Sequence, residues 1–493
     1  MIKLRRSTSH GSLQPRSWGR RHKFTTAAVV VVLVAAGLVL WSPWERCGAG
    51  MRESAISSDC VGLNLEDTAS FGGDEVVSDL QKKVAENNAT VTGPDFMTVV
   101  LLDNMTPDPR TSNIVKANVQ HSVEGALTAA RRVNERFIAN HEAPKVRLHL
   151  ANYGDNAEDA LGAVEQINAE RDRQRIVAVV GLGQSLDGTQ QAASLLSDAG
   201  IAVISTMASA DNMNQRFPPG QGSIDGFFRI TPTNADAARA AVNFVSQKSY
   251  EDVLLIQDTN PGDIYSGTLG TEFRKAYNEK FGRDLSGIER FEANDESHGS
   301  GRGDYMKAML ADAHDRLCRD TPDLVYFAGR GVDLWTFLHT LSEDDPCPGM
   351  SKLDVLTSDD ASNIVNQALP PFPNLDVRVF YTSVATRGQW DTAGPDLRDY
   401  RAAYEQFESA FVGGNFDPDH LVDGYAMATY DAATIAIESA QRVPSLSANL
   451  NEVPNWIEKF DCNDPKLGAT GSSSAIASAC MRQAAFPGIG MTP

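Results

Sequence analysis

Residues 176–206, IVAVVGLGQSLDGTQQAASLLSDAGIAVIST, contain a complete strand–helix–strand unit. The apolar, β-branched run Ile176–Val180 is typical of a buried strand, and Ile201–Ser205 is a second such run. Between them, a Gly/Ser turn leads into a helical pattern over Thr189–Ala199 that ends at a glycine. The turn places backbone N–H groups and the hydroxyl of Ser185 at a helix N-terminus, where an anionic group binds well. We therefore expect this loop to hold part of a small ligand.

The same alternation of strands and helices continues on both sides of this unit. Before it, the pattern predicts strands at Phe96–Leu102 and Val146–Ala151 and helices at Asn118–Ile138 and Asp155–Arg171. After it, the pattern predicts strands at Val253–Gln257, Ile288–Phe291, Leu324–Ala328, Leu353–Leu356 and Val377–Thr382, with helices between and after them up to Arg442. Such alternation favours parallel sheets covered on both faces, and 493 residues are too many for one simple core. We expect an α/β protein with two Rossmann-like lobes.

The N-terminal region has a different composition. Residues 1–44 contain seven Lys/Arg and no Asp/Glu, and Phe24–Trp44 is an uncharged, largely apolar stretch. That length spans a bilayer core of about 30 Å. Because basic residues precede it, the positive-inside rule predicts a cytoplasmic tail at 1–23, a transmembrane helix at 24–44 and an extracytoplasmic body. A cleaved signal peptide is the alternative to a retained single-pass anchor in the cell membrane.

Charge and cysteine content describe the rest of the chain. The whole chain has a net charge of −20 although its tail is basic, so the body is strongly acidic and should repel nucleic acid and anionic lipid surfaces. All six cysteines follow the membrane stretch, and an even number outside the cell indicates disulfides. Of the 15 possible connectivities, nearest-neighbour pairing is the simplest, and it would join Cys47 with Cys60, Cys318 with Cys347, and Cys462 with Cys480. Residues 45–93 form a predicted juxtamembrane module.

Enzyme and cofactor motifs are not found in the sequence. The turn after Val180 is similar to a dinucleotide-binding loop, but Leu186 stands where that motif needs a third glycine. There is no GxxxxGK loop, no GxSxG elbow, no HExxH helix and no Cys/His spacing typical of a metal site. We therefore expect no cofactor, no metal and no catalytic residue.

Polar side chains recur where predicted strands end. In open parallel sheets, ligands bind outside the carboxyl ends of the strands. Any one of these residues could be a helix cap or turn residue, and their recurrence is what indicates a binding site. The candidates are Gln184, Ser185, Thr206, Ala208, Ser209, Asp258, Tyr265, Arg330, Asp359 and Asp360.

Three stretches carry a resemblance to a known family. Val180–Ser205 resembles the strand, Ser-rich turn, helix and strand of the type I periplasmic-binding fold, in its leucine/isoleucine/valine-binding branch. Phe228–Thr233 is similar to the first hinge crossover of that family, and Tyr425–Ala440 to its late helix in lobe one. The resemblance extends from Asp95 to about Arg442. The N-terminal membrane stretch and cysteine module look like those of membrane-anchored actinobacterial variants.

The resemblance implies a three-segment hinge between two lobes, with no catalysis. Lobe one would comprise 94–231 and 385–443, and lobe two 232–384 and 444–493. By position, Ser185 with Ala208 and Ser209 would take a ligand carboxylate, Tyr265 would close over the ligand, and Asp359 or Asp360 would hold an α-amino group. Arg330 stands where an aromatic residue is common and is expected to add positive charge to the cleft. A dicarboxylate, an amide or a peptide-like solute therefore remains an alternative to an amino acid as the ligand.

The sequence thus favours an extracytoplasmic solute-binding receptor. Its ligand would be a small solute, and its partner an ABC permease or a membrane signalling protein. One alternative is an interaction platform with the same fold that has lost solute binding. A less favoured alternative is an extracytoplasmic α/β enzyme, since catalytic sites can assemble from distant residues without a local motif.

Overall fold

The computed structural model describes residues 47–491, apart from 67–68, 73–74, 110–111, 136–143, 219, 294–301, 344–346, 348, 365–366, 373, 392–396, 461–465 and 474–488. The predicted tail at 1–23 and transmembrane helix at 24–44 lie outside the described residues. Among the described residues, no helix is both long enough and apolar enough to cross a membrane.

The first sheet has seven strands in the order β1-β2-β4-β3-β5-β6-β7. These strands are β1 (Met51–Glu53), β2 (Cys60–Leu63), β3 (Phe96–Asp103), β4 (Lys145–Asn152), β5 (Ile176–Gly181), β6 (Ala202–Ser205) and β7 (Phe227–Arg229). Strands β3 to β7 are parallel, whereas β1 and β2 add to the edge in antiparallel pairing. The central strands β3 and β5 are buried along almost their whole length, and apart from Thr98 and Asp103 in β3 their sequences carry no polar side chain.

The second sheet has six strands in the order β15-β12-β11-β10-β8-β9. These strands are β8 (Val253–Asp258), β9 (Gly287–Phe291), β10 (Leu324–Ala328), β11 (Lys352–Thr357), β12 (Asp376–Thr382) and β15 (Ile489–Met491). All pairings are parallel except that of β12 with β15. The hairpin β13 (Lys466–Gly468) and β14 (Gly471–Ser473) is separate from both sheets.

Helices cover both faces of each sheet. In chain order they are α1 (Glu75–Ala89), α2 (Lys116–Asn134), α3 (Ala157–Gln174), α4 (Asp187–Asp198), α5 (Asn234–Lys248), α6 (Ile264–Phe281), α7 (Arg302–Asp320), α8 (Gly331–Glu343), α9 (Arg387–Asp391), α10 (Arg398–Gly413), α11 (Tyr425–Arg442) and α12 (Val453–Ile457). The first sheet packs against α1, α2 and α11 on one face and α3 and α4 on the other. The second sheet packs against α7 and α8 on one face and α5 and α6 on the other. Each lobe therefore has its own core of buried aliphatic and aromatic side chains.

Helices α2 and α11 cross at close range in the first lobe. Gly125 of α2 lies at the crossing, and a Cβ added there would be 2.1 Å from the carbonyl oxygen of Ala426. Glycine is thus required here by the approach of another backbone rather than by its own dihedral angles.

The segment 45–93, predicted as a separate module, belongs to the first lobe where it is described. Strands β1 and β2 extend the first sheet, and Leu80 and Val84 of α1 lie in its core. The prediction failed because strands of three and four residues are too short to show an alternating pattern.

The hinge differs from the expected one in its third segment. The chain passes between the lobes at 230–233 and 383–386, between β7 and α5 and between β12 and α9. Beyond residue 443, however, Leu450 and Val453 pack in the first-lobe core. Strand β15, in contrast, pairs with β12 of the second sheet. The assignment of all of 444–493 to lobe two is therefore wrong.

Two of the three predicted disulfides are confirmed. Cys47 pairs with Cys60 at a Cα–Cα distance of 5.3 Å, and Cys318 pairs with Cys347 at 4.7 Å. The third pair, Cys462 with Cys480, lies outside the described residues.

Candidate functional site

The two lobes meet at the carboxyl ends of their parallel strands. Ser209, four residues after β6, donates from its hydroxyl to Asp359 Oδ1 of the second lobe at 3.3 Å. Arg330, two residues after β10, donates from Nη2 to the carbonyl oxygen of Ser185 in the first lobe at 3.2 Å. These contacts bring together first-lobe and second-lobe residues from the predicted site. We call this region the cleft.

The first-lobe wall of the cleft is built by the loop after β5. Gly181 has φ +108°, and a Cβ there would lie 2.4 Å from the carbonyl oxygen of Leu102, so the turn needs glycine. Ser185 Oγ accepts from the backbone N–H of Ala210 at 3.1 Å. The hydroxyl that was expected to bind a ligand carboxylate is therefore already engaged within its own lobe.

The remaining first-lobe candidates are also buried. The N–H of Ala208 donates to Ser205 Oγ at 3.3 Å, and Thr206 donates to the carbonyl oxygen of Gly181 at 3.4 Å. Gln184 is 7% exposed, and its Nε2 has no hydrogen-bond partner among the described residues. Gln184 is thus the only one of these three whose side chain keeps an unused donor.

The second-lobe wall is organised around Arg330. Its Nε and Nη2 donate to the two carboxylate oxygens of Asp263 at 2.6 and 2.7 Å, a bidentate pair. Its Nη1 lies 3.4 Å from Asp360 Oδ1, and its guanidinium carbon is 4.5 Å from the ring centroid of Tyr265. Burial alone would lower the pKa of Arg330, but the charges of Asp263 and Asp360 raise it above its ordinary value.

Arg330 therefore does not add free positive charge to the cleft, as the sequence had suggested. Two buried carboxylates already accept from its guanidinium, and neither was expected to pair with it. Asp263 was missed because it lies in the loop before α6, 67 residues away, where it also accepts from the N–H groups of Tyr265 and Ser266. A helix-cap residue has no sequence signal that identifies a distant ion pair.

Tyr265, Asp359 and Asp360 lie together beside Arg330, as their positions after the strands predicted. The N–H of Asp360 donates to the Tyr265 hydroxyl oxygen at 3.3 Å, and Asp360 Oδ2 accepts from the N–H of Gly331 at 2.6 Å. Asp359 accepts from the hydroxyl of Ser358 at 2.9 Å. Burial, followed by the charge of Asp360, raises the pKa of Asp359 to about 6.

Asp103 is a site candidate that the sequence analysis missed. It ends β3, is 1% exposed, and accepts at Oδ1 from the N–H of Asn104 and the hydroxyl of Tyr153, at 2.9 and 3.3 Å. Its Oδ2 has no hydrogen-bond partner among the described residues. Burial raises the pKa of Asp103 to about 6. Asp103 directly follows a predicted strand, so the rule that selected the other candidates would have found it.

A second polar bridge joins the lobes through Asn363. Its Nδ2 donates to the carbonyl oxygen of Asn113 at 2.9 Å, and its Oδ1 accepts from the hydroxyl of Tyr425 at 3.2 Å. Burial raises the pKa of Tyr425 well above its ordinary value, and carboxylates from both lobes add to this, in the order Asp360, Asp423, Asp103 and Asp359. The Tyr425 hydroxyl thus lies among acidic groups from both sides of the cleft.

Asp258, at the end of β8, lies in the second lobe behind this wall. Its Oδ1 accepts from the N–H groups of Asn260 and Ala293, both at 2.9 Å. Burial raises the pKa of Asp258 to about 7, and the nearby charges of Asp333 and Asp263 add to the effect. Its hydrogen bonds connect loops within the second lobe, so it supports the wall rather than joining the lobes.

Possible metal ligands cluster in one place in the described part of the chain, away from the cleft. His314, Cys318 and Cys347 have ligand atoms within 4.8 Å of one another. Both sulfurs belong to the disulfide, and a metal site needs thiolates. This cluster therefore does not form a metal centre in the oxidised protein.

Comparison with known proteins gives matches in structure. No protein-family model matches the sequence, and no curated protein matches it. A substrate-binding protein of an ABC transporter from Desulfitobacterium hafniense, solved with Leu, superposes with a TM-score of 0.55 at 16% identity, over 77% of this chain and 92% of that one. The branched-chain amino acid transporter substrate-binding protein of Streptococcus pneumoniae, in complex with isoleucine, gives 0.54 at 17%, over 77% and 91%. The chain shares the fold of these binding proteins.

A third structure shows the chemical range of the fold. An ABC transporter solute-binding protein from R. palustris, in complex with 4-hydroxybenzoate, superposes with a TM-score of 0.55 at 13% identity, over 78% of this chain and 90% of that one. The predicted α/β architecture of two lobes in the type I periplasmic-binding fold is confirmed. At such low identity the likeness concerns the fold, so the ligand of this chain has to be argued from its own residues.

Proposed function

We propose that this chain is a solute-binding receptor that closes its two lobes on a small polar solute. Ligand binding free energy would favour the closed arrangement over an open one, and no bond would be made or broken. The residues proposed to contact the solute are Gln184, Ser185, Thr206, Ala208, Ser209, Tyr265, Arg330, Asp359 and Asp360. The proposed setting is extracytoplasmic, with the body anchored through residues 24–44.

One observation carries the proposal. Buried polar groups from the carboxyl ends of strands in both sheets converge on one interface, where Ser209 meets Asp359 and Arg330 meets the Ser185 carbonyl. Buried polar groups are costly unless they have partners, so a buried polar interface between two separate cores calls for a functional reason. Solved proteins of this fold carry leucine, isoleucine or 4-hydroxybenzoate in their structures, which supports a small-molecule ligand.

The test is a ligand screen on the purified full-length chain. We expect at least one amino acid, amine, amide, organic acid or sugar to raise the melting temperature, because a ligand that binds only the folded state stabilises it. A ligand at 100 times its Kd adds about 2.7 kcal/mol. The hit should also reduce the radius of gyration in X-ray scattering. A complete panel without a hit would contradict the receptor function.

A second function is favoured by one specific observation. Arg330 is already bound by Asp263 and Asp360, and Ser185 Oγ by Ala210, so several cleft groups bond to one another. This is what an interaction platform that has lost solute binding would show. In that case the solute panel gives no hit, and disrupting the cleft leaves capture of the partner unchanged. The receptor function predicts the opposite result in both experiments.

The partner of the closed form would be an ABC permease or a membrane signalling protein. Either partner would bind the closed form at the membrane surface. The proposed anchor would hold the body at that surface. Co-purification of a permease after crosslinking in the presence of the identified solute, but not in its absence, would support uptake rather than sensing.

A further inference from the structure

Two carboxylates in the cleft are buried without a cation. Asp103 is 1% exposed and Asp359 is 7% exposed, and neither has a Lys, Arg or His nitrogen within 4 Å in the described part of the chain. Arg330, the guanidinium that lies beside Asp360, is already held by Asp263. Burying a charge is costly unless it is paired, so an unpaired carboxylate in each lobe calls for an explanation.

Asp103 is directed at the loop of the proposed site. Its unpartnered Oδ2 lies 3.8 Å from the position that a Cβ on Gly183 would occupy, and Thr206 Oγ1 lies 3.6 Å from the same point. These are ordinary van der Waals distances, so the Asp103 acceptor and the Thr206 hydroxyl lie beside Gly183, together with Met207 Cβ at 3.6 Å. Asp103 is thus an unsatisfied acceptor within the site rather than a distant core residue.

The cleft already shows how it binds a cation. The guanidinium of Arg330 is surrounded by the carboxylates of Asp263 and Asp360, the carbonyl oxygen of Ser185 and the ring of Tyr265. Carboxylates, carbonyl oxygens and aromatic faces are the groups that proteins use to bind ammonium and guanidinium ions. Asp187, at the start of α4, adds a further acid close enough for Asp263 to raise its pKa, after burial.

A ligand carboxylate, by contrast, finds no free cation here. Arg330 is committed to two carboxylates. Arg229, a second buried guanidinium, donates to the carbonyl oxygen of Ala210 and lies within the field of Asp211 and Asp236, while Ser185 and Ala208 bond within their lobe. A zwitterionic amino acid would bring its carboxylate near Asp103 and Asp359 without compensation, and like charges repel. The charge balance therefore disfavours anionic and zwitterionic solutes.

We propose that the cleft binds a small solute of net positive charge, an amine or a guanidinium, held between Asp103 of the first lobe and Asp359 of the second. This inference rests on the proposed receptor function and names its ligand class. It extends the sequence analysis, in which Asp359 or Asp360 was expected to take the ammonium of an α-amino acid. The partner acid is Asp103, on the opposite wall.

The test compares agmatine, arginine, citrulline and glutamate, four small solutes of different net charge, on the full-length chain by calorimetry. Agmatine is arginine without its carboxylate, and citrulline is a neutral isostere of the arginine side chain. We expect agmatine to bind most tightly, arginine next, and citrulline at least about tenfold more weakly than arginine, since 1.4 kcal/mol corresponds to a factor of ten. Glutamate should not bind. Equal binding of citrulline and arginine, or binding of glutamate, would overturn the inference.

Two isosteric variants locate the charge. Asp103→Asn and Asp359→Asn should each weaken agmatine binding about tenfold or more, because each removes a buried partner of the cation. Asp312→Asn, which changes an exposed carboxylate on α7, is the matched control and should bind agmatine like the parent chain. Unchanged agmatine binding in both cleft variants would place the cation elsewhere and overturn the assignment. The comparison of arginine with citrulline on the parent chain decides the charge class even if a variant fails to fold.

The two proposals fail in different ways. If leucine, an organic acid or a sugar binds while agmatine and arginine do not, the receptor function stands and the cationic ligand class is wrong. If no solute of the broad panel binds, both are wrong.

Discussion

Asp359 is a carboxylate that the fold buries between two hydroxyl donors and beside another acid. Its folded pKa of about 6 is above the ordinary value of about 3.9 for an aspartate. A raised carboxylate pKa means that the folded protein prefers the protonated form. The favourable contribution of Asp359 to the free energy of unfolding is therefore complete below about pH 4. It is lost as the pH rises through about 6.

Substitution of this residue should accordingly stabilise the protein at neutral pH. We expect Asp359→Asn to raise the unfolding free energy at pH 7.5 by about 1–3 kcal/mol, since one pKa unit corresponds to about 1.4 kcal/mol. The gain should shrink as the pH falls and approach zero below about pH 4, where the parent side chain becomes protonated in both the folded and the unfolded state. Urea denaturation at both pH values measures this, with Asp312→Asn as the control. A loss of stability at pH 7.5 would contradict the pKa assignment.

The sequence predicted which side chains lie together at the strand ends. It did not predict which of them form ion pairs. The rule that polar residues after strands gather at one edge brought Ser209, Asp359 and Arg330 to the same cleft, because the direction of a parallel sheet fixes where its strand ends lie. The pairing of Arg330 with Asp263 depends on how two loops fold over each other. No periodicity along the chain encodes such a contact.

The crossing of α2 and α11 is likewise a contact between distant elements that no local sequence pattern predicts. Gly125 sits within a strong helical pattern, where glycine is normally unfavourable by about 1 kcal/mol relative to alanine. Its reason is the carbonyl oxygen of Ala426, 2.1 Å from where a Cβ would be.

Two glycine substitutions test this element. Gly125→Ala should destabilise the protein by about 1–3 kcal/mol or more, because the backbone of α11 has to move. Gly267→Ala, in α6, meets no atom within 4 Å and should stabilise by about 0.5–1 kcal/mol through helix propensity. Chemical denaturation of both variants measures the contrast. Equal effects of the two changes would mean that the crossing is not tightly packed.

Long elements were predictable and short ones were not. The strand predicted at Phe96–Leu102 is observed at Phe96–Asp103, and the helix predicted at Asp155–Arg171 is observed at Ala157–Gln174. Both repeat their period several times. Strands of three residues, such as β1 and β15, cannot show a period and are defined by the strand they pair with.

At the scale of the whole molecule, Arg330 connects the two lobes. It offsets the charges of Asp263 and Asp360 and reaches the Ser185 carbonyl across the cleft. Its removal would leave buried acids facing one another, and opening the cleft would hydrate them.

We therefore expect Arg330→Met to enlarge the radius of gyration in solution scattering. The matched control is Arg378→Met, because Arg378 makes an equally bidentate pair with Asp354 within the second lobe, at 2.8 and 2.7 Å. That change should leave the radius of gyration unaltered, since no contact between lobes is lost. If both variants scatter alike, Arg330 does not hold the lobes together.

Strand β15 has a consequence for how the protein can be handled. It pairs antiparallel with Phe380–Thr382 of β12 and so covers the outer edge of a sheet that is otherwise parallel. A chain trimmed by a protease before residue 489 would expose those backbone N–H and C=O groups as a template for another strand. Loss of the few residues of β15 would then cause self-association and precipitation on storage, although the cleft itself would be intact.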